Sequence, residues 1–123
     1  MSTLTVSNVS DGALSIPTTY VTNGSAKAWV NFNGTGTIAA RDSLNVSSLT
    51  DSGTGIYGIS FSTSFDADNY SHVASSLQQG GVTLDVTVSL SDQLAGSITV
   101  ITVGAGSTFD SGVVAASSFG DLA

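Results

Sequence analysis

The chain has no cysteine and no glutamate, one proline, one histidine, and only two basic residues, Lys27 and Arg41, in 123 positions. Without cysteine there is neither a disulfide framework nor a thiolate metal site. Two cations cannot form the basic patch that displaces counterions from nucleic acid. A net charge of −7 also opposes an anionic membrane surface. No apolar run approaches the ~20 residues that span a bilayer. Neither a nucleic-acid partner nor membrane insertion is expected. The opening MSTLTVSNVSDGA lacks the basic n-region and apolar core of a secretory signal, so the mature chain is expected to begin here.

What is present points to strands and turns. All nine acids are Asp, whose short carboxylate bonds nearby backbone N–H groups in turns, where Glu would favour helix. Charged residues make up 9% of the chain, against roughly a quarter in ordinary domains. A surface of Ser, Thr, Asn and Gly instead packs closely against copies of itself, which hints at a structural or oligomeric protein. Disorder is excluded because 41% of residues are hydrophobic and they alternate regularly. The length suits one domain with a modest core.

Residues 1–26 read as an N-terminal arm reaching onto a neighbour or as an edge strand. Leu4, Val6 and Val9 suggest a short strand broken at Ser10-Asp11-Gly12, Ile16-Pro17 is extended, and TTYVT (18–22) has β-propensity. From Lys27 the pattern sharpens into a β-sandwich domain over 27–104. In KAWVNFN, Ala28, Val30 and Phe32 share one face. Asn33-Gly34-Thr35-Gly36 then turns into TIAAR, which predicts a hairpin. In SLNVSSLT the alternation slips at Ser47-Ser48, which predicts a β-bulge. Tyr57, Ile59 and Phe61 alternate with Gly58, Ser60 and Ser62, and Asp66–Asn69 is a turn before a strand over 70–74. The cleanest strand is 82–90, a turn follows at 91–96, and SITVITV, apolar on both faces, belongs at a sheet centre. Residues 105–123 read as a Gly/Ser-rich tail ordered only by contact with something else. Sustained helical spacing is missing throughout. The fold expected is all-β, an antiparallel β-sandwich or jelly-roll-like single domain of six to eight strands.

No catalytic constellation emerges. His72 has no local nucleophile signature around it and reads as an ordinary strand or turn histidine. Asp66 and Asp68, with Asn69 beside them, have the alternation of oxygen ligands that suits Ca²⁺. The twelve-residue loop closed by Glu is missing, so an Asx-turn is the better reading and these two remain weak metal candidates. Five N-x-S/T sequons, at Asn8, Asn23, Asn33, Asn45 and Asn69, are expected by chance in so Ser- and Thr-rich a chain. The aromatic residues Trp29, Tyr57 and Tyr70 are the candidates for an interface or glycan contact. Trp29 lies opposite the Ala28 face, and a second sheet covering it is the competing reading. No cofactor is expected.

The run KAWVNFNGTGTIAARDSLNVSSLTDSGTGIYGISFSTSFDADNY, Lys27–Tyr70, resembles a domain of phage tail-fibre-like virion structural proteins common in marine phages and prophages. The resemblance rests on AWVNFNGTGT, the Arg41-Asp42 pair, NVSS followed by TDSGTG, and a Tyr-containing strand leading to ADNY. It covers about a third of the chain. Ile56–Phe61 departs from it, standing where a more polar strand is usual, and residues 77–123 lie outside it. The resemblance implies a non-enzymatic, trimeric protein displayed on the virion surface and made in the bacterial host cytoplasm. Its partners would be copies of itself, other virion proteins of the tail, baseplate or major capsid, and a host surface glycan. A fibre or tail-appendage head is the leading expectation, a capsid decoration (cement) protein the alternative, and a carbohydrate-binding module the second alternative.

Overall fold

The computed structural model describes residues 1–77, 87–104 and 106–123, with the backbone alone for 87–90. Among the described residues eleven strands and one short helix follow in order. They are β1 (Asn8–Ser10), β2 (Ser15–Pro17), α1 (Thr18–Gly24), β3 (Ala28–Asn33), β4 (Ala39–Leu44) and β5 (Val46–Gly53). Then come β6 (Ile56–Phe61), β7 (Ser71–Leu77), β8 (Thr87–Leu94), β9 (Ser97–Gly104), β10 (Ser107–Thr108) and β11 (Val113–Phe119). The protein is all-β, as its alternation predicts. Eleven strands exceed the six to eight expected because β1, β2 and β10 are pieces of two or three residues.

Two antiparallel sheets face each other. One has the order β4-β3-β11-β7; in the other β5-β6-β9 is flanked by β8, with β10 beside the end of β9. The hairpins β3–β4, β5–β6, β8–β9 and β9–β10 each stay within one sheet, whereas the chain changes sheet between β4 and β5, between β6 and β7, between β7 and β8, and between β10 and β11. Period-two alternation decides which side chains meet. Ala28, Val30 and Phe32 of β3 and Val114 and Ala116 of β11 point inward from the first sheet. Tyr57, Ile59 and Phe61 of β6 and Ile98 and Val100 of β9 meet them from the second. Phe65 and Tyr70 close one end of this core, with Phe61 edge-on to both rings.

The slip at Ser47 is a bulge: the β5–β6 register jumps between Val46 and Ser48, and the Ser47 hydroxyl lies 3.2 Å from the Ser60 carbonyl. The expected run through Leu44 and Val46 is divided between the two sheets. Asn45 takes a left-handed φ of 56°, and its side chain donates to the Thr63 carbonyl (2.9 Å) and accepts from the Thr63 N–H (2.7 Å). SITVITV is central, as β9 between β6 and β8. The predicted strand 82–90 lies outside the described residues up to position 86. Where description resumes, β8 runs on through Ser91–Leu94, so the turn narrows to Ala95-Gly96.

Two segments differ from expectation. Residues 105–123 are not a tail: β11 runs through the middle of the first sheet, paired with β3 on one side and β7 on the other. TTYVT is helical, not extended. Thr18 donates to the Ser7 carbonyl at 3.1 Å and Thr22 to the Thr18 carbonyl at 3.1 Å, so local side-chain-to-backbone bonding outweighs β-propensity here. The hairpin β1–β2 forms a sheet of its own, joined to neither large sheet among the described residues.

Candidate functional site

Tyr57, expected as a contact residue, is fully buried. Its ring stands edge-on to Phe32 at 5.2 Å across the sandwich. The hydroxyl accepts from the Ser111 N–H at 3.1 Å and reaches the Gly34 carbonyl at 3.3 Å. Asp110 lies 3.4 Å from the same hydroxyl and accepts from the Gly55 N–H at 2.7 Å. Burial raises the phenol's pKa, and the charge of Asp110 adds to that. This tyrosine ties three loops together and presents nothing to a ligand.

Tyr70 is likewise interior, stacked on Phe65 with ring centroids 4.1 Å apart. Its hydroxyl donates toward the carbonyls of Leu94 (3.0 Å) and Ser97 (3.2 Å). Desolvation, then the nearby Asp68 charge, pushes its pKa up to about 12. Trp29 alone of the three aromatics faces outward. It is half-buried on the outer side of the first sheet, flanked in register by Ser117 and Leu44. The second sheet does not cover that face.

Asp66 and Asp68 do not converge. Asp66 lines an open groove of about 370 Å³ with Asn23, Asn69, Phe119 and Asp121. Asp68 is not among its lining residues, and it offers its backbone carbonyl to Gln93 at 2.6 Å. Among the described residues no three His, Asp or Glu side chains gather as a metal site would require.

His72 has its Nδ1 2.6 Å from the Ser118 hydroxyl. Ser118 is buried, the His72 Nε2 is buried with no partner, and desolvation pulls the imidazole pKa down to about 4. The pair is a polar knot under the sheet. A nucleophile needs a path to substrate, and a buried Ser118 offers none.

Further outward residues are apolar, some in the segment read from sequence as an arm or edge strand and some on β7, which the sequence did not single out. The arm exposes Leu4, Leu14 and Tyr20 by 84%, 68% and 70%, and β7 exposes Val73 and Leu77 by 58% and 65%. In the arm the signal is Leu4, Val9, Leu14, Ile16 and Tyr20 in a segment too short to build a core of its own; in β7 it is the place of Val73 and Leu77 on the strand face opposite Ala74. No helix among the described residues is long and apolar enough to cross a membrane. Compared with protein-family models, curated proteins and solved structures, the chain has no match in any of the three.

Proposed function

We propose that the chain is a non-enzymatic structural protein of a phage virion, displayed on the particle as the head of a fibre or tail appendage. The observation that supports this reading most is where the resembling run sits. Lys27–Tyr70 supplies β3 to β6, one hairpin to each sheet. Its NFNGTG turn locks onto its own Tyr57 through Gly34, so the motif residues build a scaffold. Low charge and an outward apolar arm suit a protein that works packed against neighbours. The arm also favours a second reading, capsid decoration, because a lattice-bound protein needs a segment that grips adjacent subunits.

The experiment is the protein composition of purified particles. A copy number of tens or fewer per virion fits the tail reading, and hundreds fit the capsid. A chain made during infection but missing from purified particles would overturn both.

A further inference from the structure

Residues 1–24 fold without a core. The hairpin β1–β2 is closed by local polar bonds: the Asp11 carboxylate accepts from the N–H groups of Ala13 (2.9 Å) and Leu14 (2.8 Å). Helix α1 buries none of its seven residues. An isolated two-stranded hairpin is marginal in water, and so is a helix of two turns. Both become stable when an apolar face is covered. Leu4, Val9, Leu14, Ile16, Tyr20 and Val21 are all exposed. Together they present on the order of 600 Å² of apolar surface, close to the ~800 Å² each partner contributes to a stable interface.

The same chain carries a matching surface that no other described residue covers. On the outer side of the first sheet, register aligns Val73, Ser117, Trp29 and Leu44 in one row across four strands. Beside it a shallow groove of about 210 Å³ is lined by Val73, Ala74, Ser75, Ala115 and Ser117. The outermost strand there is β7. Natural sheet edges are kept from pairing by charges, prolines or bulges. β4 has Arg41, Asp42 and a register shift. β5 has Asp51 and two shifts, and β8 has Asp92 and one. β7 has no Lys, Arg, Asp or Pro, pairs with β11 without any shift, and among the described residues has no strand on its other side.

We infer that the N-terminal arm of one copy docks on the β7 side of the outer sheet face of a second copy. Arm and seat are different surfaces, so the contact is heterologous, and it builds a closed oligomer if the rotation closes. The inference stands apart from the virion reading, since it is decided on the purified chain and not on particles.

The test is solution mass at tens of micromolar, with circular dichroism to check folding. Wild type is expected at a multiple of 12.3 kDa. The arm variant Leu14→Asp/Tyr20→Asp and the seat variant Val73→Asp/Leu77→Asp are each expected as folded 12.3 kDa monomers. All four positions are exposed, so the core is untouched. Mixing the two variants should restore a one-to-one complex, because each supplies what the other lacks. Deletion of residues 1–24, paired with the seat variant Leu77→Asn, repeats the test should an aspartate variant misfold. A monomeric wild type would overturn the inference, as would a folded arm or seat variant that keeps the wild-type mass.

Discussion

A side chain on Gly34 would collide with Tyr57: a Cβ built there stands less than 3.0 Å from Cζ, Oη and Cε1 of the ring. The turn after β3 therefore lies flat on a buried aromatic from the opposite sheet, and the Tyr57 hydroxyl reaches back to the Gly34 carbonyl. Two short motifs twenty-three residues apart in the chain specify one contact. Gly34→Ala is expected to destabilise the domain by about 1–3 kcal/mol through overpacking. Tyr57→Phe removes the acceptor of the buried Ser111 N–H and should cost about 1–3 kcal/mol. Urea unfolding of both variants checks this. Because ring carbons as well as the hydroxyl oxygen collide, Tyr57→Phe should not rescue Gly34→Ala.

The corner between the two sheets depends on Asn45. Its left-handed φ is tolerable for Asn and free for Gly, but strained for Ala. Asn45→Gly should lose about 1 kcal/mol, from the two side-chain bonds to Thr63. Asn45→Ala should lose about 2–3 kcal/mol, because left-handed strain adds to that loss. Equal losses in denaturant titrations would mean that backbone strain plays no part at this corner.

His72 makes stability pH-dependent. Its folded pKa is drawn from 6.5 down to about 4 by burial, so the unfolded chain takes up a proton more readily. Above pH 6.5 both states are neutral at this residue and it imposes no slope. As pH falls from 6.5 toward 4 stability is lost, and the loss levels off once the folded state is protonated too. The denaturation midpoint should fall across that window in wild type. In His72→Asn, whose amide can still meet the Ser118 hydroxyl, the part of the slope between pH 6.5 and 5 should disappear. An unchanged slope there would assign it to the carboxylates instead.

Much of this architecture was legible in the chain because period-two alternation states it directly. β3, β6 and β9 carry large apolar residues on every second position, and those residues are the core. Legibility failed where the inward residues are small or where partners come from far away. β11 sends inward Val114, Ala116 and Ser118, a set that reads as a polar tail. Its Ser118 is tolerable inside only because His72 bonds it. Tyr57 and Tyr70 read as candidate contact residues because the partners of their hydroxyls, Gly34 and Ser111 for the one and the Leu94 and Ser97 carbonyls for the other, lie 23 or more residues away. Trp29 was placed correctly, on the face opposite Ala28. The side of the sheet left uncovered could not be read, since that depends on which strands the second sheet contains.

The reassigned C-terminal segment gives the sharpest contrast between a tail and a strand. A disordered tail can be removed without loss, whereas β11 supplies a ladder to β3 over five register pairs and to β7 over seven. It also contributes Val114 and Ala116 to the core, and Ser111 ahead of it holds Tyr57. Removing a central strand leaves two buried edges with unpaired backbone groups, each costing about 1–3 kcal/mol. That sum exceeds the 5–15 kcal/mol by which a domain of this kind is stable. A chain ending at residue 110 is therefore expected to show no cooperative thermal transition and no near-ultraviolet circular dichroism. One ending at residue 119 should keep both, because it retains all of β11 and loses only the Phe65–Leu122 bridge and the backbone bonds of the last residues. A cooperative transition in the shorter chain would return residues 111–123 to the status of a tail.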